Sequence, residues 1–261
     1  MLAALFKSQP VVDESTRDWI FDTFAWAVEH FESQVFVKET ELILPTNEYY
    51  PGTVSSVHEM AQAIFNNTLK YAGMQGWPIV LVAPQVYENE PMPKLTLPEV
   101  MRGNKAIFHI NHDHIAPIRL SYHPGQINQP QDLIATFAQS LAMIMITQKG
   151  ILPPGGKDNL PQAADLLACF MGFGVMLANT AYQFKGGCGS CYNASANRQA
   201  ALPEQDTLYM LALFSILKSI SVKSVTPHLK SHMKSTFKSA YKEVMQLMRH
   251  SPYPALQAVR Q

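Results

Sequence analysis

Four imidazoles fall within fifteen residues of this chain: His109, His112, His114 and His123, with Asp113 among them. Histidine is the commonest transition-metal ligand, so this cluster has the residue types for a metal site. On a continuous strand His109 and Asp113 share one face, and His112 and His114 the other. If Asn111-His112-Asp113 is instead a hairpin turn, several rings converge. A polar, solvent-exposed hairpin explains the same residues more simply and is the preferred reading. Cys188-Gly189-Ser190-Cys191 is a single CxxC in a glycine-rich stretch. One CxxC is half a zinc knuckle or a redox pair. With no second CxxC, a Gly-rich loop carrying two free thiols is preferred over a reversible disulfide or a site shared across a dimer. His228 and His232 have the one-turn spacing of metal ligands on the expected last helix. No acid joins them and Lys230 and Lys234 lie close by, so an exposed basic face fits better.

The elements that must position these residues can be read from hydrophobic spacing. Residues 14–33 show helical periodicity with Ser15 as cap, and 54–72 form a second helix with Ser55 and Ser56 at its start and Gly73 after its end. Short strands are expected at 42–44, 77–82, 105–110 and 115–122, and the Pro-rich stretch 85–99 should be irregular. Four helices follow, over 130–147, 161–184, 203–219 and 227–250. Strands early and helices late make an α+β protein, read as one domain over residues 1–261. In the third helix Gly172 and Gly174 are expected to permit close helix packing, each costing about 1 kcal/mol against Ala.

Composition excludes several classes. The formal net charge is zero, which gives no support for nucleic-acid binding, although Lys218, Lys223, Lys230, Lys234, Lys238 and Lys242 make the C-terminal quarter basic. The apolar run 166–181 falls short of the roughly 20 residues a membrane span needs and reads as a buried core helix. Three Cys cannot form an even disulfide framework, so a reducing cytoplasm is expected. Met1–Lys7 is too short an apolar run for a secretory signal. No GxxxxGK[ST], GxGxxG or GxSxG occurs, leaving nucleotide binding and serine-hydrolase chemistry unsupported.

The run Asp132-Leu133-Ile134-Ala135-Thr136-Phe137-Ala138 precedes a Pro/Gly break, followed by Ala164-Asp165-Leu166-Leu167, Gly172-Phe173-Gly174 and Leu208–Phe214. This order resembles a bacterial family with a zincin-like, gluzincin-type metallopeptidase core, over roughly residues 40–248. Relatives in that family read L-V-A-T-L-A-H-E-L-A-H on the first of these helices. There two His one turn apart bind zinc, and the Glu handles the proton of the attacking water. The resemblance places Gln139, Ser140 and Met143 at those three positions. It further implies that Asp165 corresponds to the Asp that orients the first His. The third ligand position, four residues earlier, is then Pro161.

The chemistry of the substituted residues points away from hydrolysis. Catalytic zinc takes three N, O or S ligands from the protein. A neutral Gln amide is a poor ligand, a Met thioether prefers softer ions, and Pro has no donor side chain. Ser140 cannot serve as a carboxylate base. The expectation is therefore a zincin-like α+β fold, a small twisted sheet packed on a mainly helical C-terminal half. It has no catalytic residues, metal or other cofactor, and binds a peptide or protein segment in the vestigial cleft. His109, His112, His114 and His123 would border that cleft. Two alternatives stay open: an active metal-dependent hydrolase rebuilt on those four His, and a purely structural subunit whose cleft its own side chains fill. An apolar core helix unrelated to zincins also explains residues 132–147.

Overall fold

The computed structural model describes residues 9–52, 56–88, 90–108, 116–181, 196–250 and 252–260. Helix α1 (Glu14–His30) is capped by Asp13, whose carboxylate accepts from the Thr16 amide. Ser15, the expected cap, instead donates its hydroxyl to Asp13 at 2.6 Å. A carboxylate at that site offers the amides of the first turn a charged acceptor. After Glu32, which takes positive φ, a short helix α2 (Ser33–Lys38) follows. Helix α3 (Val57–Ala72) opens with a reciprocal capping box between Ser56 and Glu59 and closes on Gly73 at φ 71°.

Strands β1 (Ile79–Leu81) and β2 (Ile118–Leu120) pair in parallel, with Ile79 opposite Ile118. Then come α4 (Pro130–Lys149), α5 (Leu160–Ala168), a π-turn over Cys169–Phe173, and α6 (Gly174–Thr180). The chain finishes with α7 (Glu204–Leu217), α8 (Val222–Val225), α9 (Met233–Leu247) and α10 (Pro254–Val259).

Among the described residues the fold is mainly helical with one small parallel sheet, compatible with the α+β class. The sheet is smaller than the sequence suggests. Residues 42–44 pair with no strand; the Ile43 amide donates to the Gly172 carbonyl at 2.9 Å, so the extended segment is tied to a helical kink. Residues 105–108 carry no strand, and β2 crosses over to β1 rather than forming a hairpin with its predecessor. Pro84, Pro91, Pro93 and Pro98 explain the irregular crossover, since proline cannot donate to a ladder.

α5 and α6 lie at the centre, against α4 on one side and α7 on the other, with α1 on α5, α3 on α4 and α9 on α7. Every residue from Ala163 to Ala181 is buried. The stretch Gly156–Thr180 is long and apolar enough to cross a membrane by composition, yet most of it is packed inside this fold. The expected continuous helix breaks at Gly172, which sits at φ 104°. Gly174 meets the other expectation: a Cβ there would press on Leu211 of α7 at 2.7 Å. The last helix starts later than predicted. Pro227 and His228 belong to a 3-10 turn, and His232 is the residue before α9, so the two His do not share a helix. His232 Nε2 lies 3.0 Å from Glu204. Lys218 also leaves the basic face, its ammonium donating to the Phe36 and Val37 carbonyls at 2.7 and 2.8 Å.

Candidate functional site

Helix α4 buries one face and leaves a narrower stripe half-covered. Leu133, Ile134, Phe137, Ala138, Leu141 and Met145 are in the core. Thr136, Gln139, Ser140 and Met143 recur at three- and four-residue steps on the less buried side, ending at exposed Thr147. The three positions singled out in the sequence therefore share one side of one helix, as their spacing requires.

They do not share a site. Gln139 and Thr136 line an open cleft of about 470 Å³, whose other walls are the end of β2 (Ser121, Tyr122), the turn at His123 and the segment 197–199. Ser140 turns its hydroxyl back onto the Thr136 carbonyl at 2.9 Å, and Met143 packs against the core. Pro161 is exposed in the first turn of α5. Of the four histidines, His123 borders the cleft beside Gln139; His109, His112 and His114 lie outside the described residues, as do Cys188 and Cys191. Among the described residues no three His, Cys, Asp or Glu side chains are grouped to hold a metal ion.

The His123 ring is fixed locally. Its Nδ1 accepts from the Gly125 amide at 3.1 Å, capping a 3-10 turn over Pro124–Asn128. An accepting Nδ1 places the proton of the neutral ring on Nε2, so His123 offers an N–H rather than a lone pair on its free side. Above it, Tyr122 is buried and its hydroxyl meets His58 Nδ1 at 3.2 Å; burial pushes the phenol pKa up.

Behind the cleft stands a fully buried ion pair that sequence reading did not find. Arg198 Nη1 donates to Asp165 Oδ1 at 2.6 Å, with the two side chains 1% and 0% exposed. The second Asp165 oxygen accepts from the amides of Ala201 (2.9 Å) and Leu202 (3.3 Å). Both oxygens of Asp165 are thus used by the 198–202 segment. Burial pushes the Asp165 carboxyl up, opposed by Arg198 and those amides. Arg198 Nε donates to Thr180 Oγ1 at 3.0 Å, and its own amide to Asp132 at 2.9 Å. Gln126 gives its amide nitrogen to Thr136 Oγ1 at 3.1 Å.

Arg198, Gln126 and Asn197, all lining the cleft, carry no motif. The available signal was indirect: an Asp inside an apolar helix needs a cation or several donors, but nothing in the linear chain says which of its arginines arrives. Comparison of the chain with family models, with curated proteins and with solved structures gave no match.

Proposed function

We propose that this chain is a catalytically inactive relative of the zincin metallopeptidases that binds an extended peptide or protein segment in the cleft beside Gln139. The zincin-like descent is supported by the order of parts: a strand pair, a long helix with residues 139, 140 and 143 on one side, and Asp165 on the helix after it. The binding reading is carried by the composition of the cleft wall. Where the family pattern puts an imidazole, Gln139 puts an amide that both donates and accepts. Around it stand Ser121, Thr136, Asn197 and the His123 N–H, a wall of mixed hydrogen-bonding groups with no carboxylate among the described residues. An extended backbone presents alternating N–H and C=O groups, which suits such a wall. The free edge of β2 among the described residues gives it a strand to lie beside.

The test is binding of a fluorescein-labelled pool of random-sequence decapeptides, followed by polarisation. Saturable binding that Gln139→Trp weakens about tenfold or more supports the reading; absence of binding to the native protein overturns it. Metal analysis provides a second decision. Stoichiometric zinc retained through gel filtration, and lost when His112→Ala and His114→Ala are combined, would replace this reading with a hydrolase rebuilt on His109, His112, His114 and His123.

A further inference from the structure

The turn over Pro124–Asn128 contributes to two cavities. Gln126 lines the cleft beside Gln139, and Ile127 lines a second one of about 300 Å³. The walls of this second cavity come from the segment 45–52, from α3 and from the start of α4. Core residues Ile64 and Ile134 line it together with Tyr50, Met60 and Ala63. Among the described residues no charged side chain lines it.

Those walls are fixed by contacts of their own. Phe65 of α3 meets Phe137 of α4 edge-on, with centroids 5.2 Å apart. The segment 45–52 is held to α3 twice: the Tyr50 hydroxyl pairs with Thr68 Oγ1 at 3.3 Å, and the Tyr71 hydroxyl donates to the Tyr49 carbonyl at 2.8 Å. The cavity is therefore preformed, and a ligand entering it pays little to order the protein.

Several of the polar groups in the wall are already bonded within the protein. The Tyr50 hydroxyl is on Thr68, the Asn67 amide nitrogen donates to the Ala63 carbonyl at 3.1 Å, and the Gln131 amide oxygen accepts from Asn179 at 2.8 Å. The volume is the bulk share of about ten waters, at about 30 Å³ each. A water is well held where it finds about two to four polar partners, and walls of Ile, Met and Pro supply few. Displacing such water with an apolar group is favourable. A charged group has the opposite balance, because it leaves its hydration shell and meets no opposite charge. The size lies at the lower end of the roughly 300–1,000 Å³ of small-molecule pockets, which suits one or two rings.

We propose that the cavity between the 45–52 segment, α3 and α4 binds an uncharged, mainly apolar small molecule of one or two rings. The site is separate from the Gln139 cleft and does not rest on the peptide-binding reading.

Calorimetric titration of the full chain at pH 7 compares 2-naphthol, which is uncharged there, with 2-naphthoate, the same two rings bearing a carboxylate. The expected result is saturable one-to-one binding of 2-naphthol, about tenfold or more weaker for 2-naphthoate. Ala63→Trp and Met60→Trp each put an indole into the cavity. Each should weaken 2-naphthol binding about tenfold or more with the melting temperature retained; Met60 is only half-buried, so its replacement decides the matter if Ala63→Trp fails to fold. Gln139→Trp, in the other cleft, should leave 2-naphthol binding unchanged. No saturable binding to the native protein overturns the proposal. Equal affinity for the two compounds overturns the uncharged class. Full affinity in the folded Met60→Trp variant, or its loss in Gln139→Trp, overturns the assignment to this cavity.

Discussion

At Asp165 and Arg198 the molecule places a full positive and a full negative charge where neither side chain sees more than 1% of its surface exposed. Burying a pair of this kind gains little over a well-packed apolar pair, but removing one partner strands the other charge. The pair also links distant chain segments: α5 through Asp165, the end of α6 through Thr180, and α4 through Asp132. Asp165→Ala is therefore expected to cost about 3–5 kcal/mol in urea unfolding. Asp165→Leu combined with Arg198→Met should recover much of that loss, a non-additivity expected for groups in direct contact. A loss below about 1 kcal/mol for the single change would mean the pair is not a structural anchor. At the same scale, Gln139 and His123 meet in one cleft while Ser140 and Met143 turn away from it. Adjacency on a helix face did not guarantee a common role.

Among the elements, the α5–α6 kink decides how the centre is assembled. Phe170, in the π-turn, stacks on Phe36 with centroids 4.5 Å apart and meets Phe24 edge-on at 6.0 Å. The buried guanidinium of Arg102 lies 5.1 Å from the same ring. Burial lowers the Arg102 pKa to about 10, with Glu32 and Glu39 opposing. Gly172 makes the kink possible twice over. Its φ of 104° is open to glycine and strained for other residues, and a Cβ would run into the Glu41 carbonyl oxygen. Gly172→Ala is expected to cost about 3 kcal/mol or more in chemical denaturation, since it combines backbone strain with displacement of the 41–43 segment. Gly150→Ala is the control: it shares the positive φ but has open space around it. If the two changes cost the same, the contact with Glu41 contributes nothing.

For the whole molecule, one continuous apolar core runs from Val12 to Val259. Hydrogen bonds tie its two ends: the Val11 amide and the Tyr209 hydroxyl both donate to Glu243, at 3.1 and 3.0 Å. Lys218 reaches back to the carbonyls of α2. Buried Trp26 on α1 and buried Trp77 beside β1 report on different regions of that core. Their fluorescence and the far-UV circular dichroism should give one coincident urea transition, the behaviour of a single cooperative unit. Two separated transitions would show that the region around Trp77 folds independently of the helices.

Much of the helical frame was legible in the linear chain because its signals are local. Ser56, Gly73 and Pro130 mark helix ends through hydrogen-bonding needs and backbone freedom that each carries by itself. The apolar run around Asp165 likewise announced a buried central helix through its hydropathy. The strands were overestimated, since a short apolar run becomes a strand only if a partner edge reaches it. Ile43 found the Gly172 carbonyl instead. The cleft wall was out of reach for the same reason. Which arginine neutralises Asp165, and that Gln126, Asn197 and Gln139 come to line one cleft, depend on bringing together residues far apart along the chain. Such pairings follow from how the helices pack and leave no periodic or local trace in the order of amino acids.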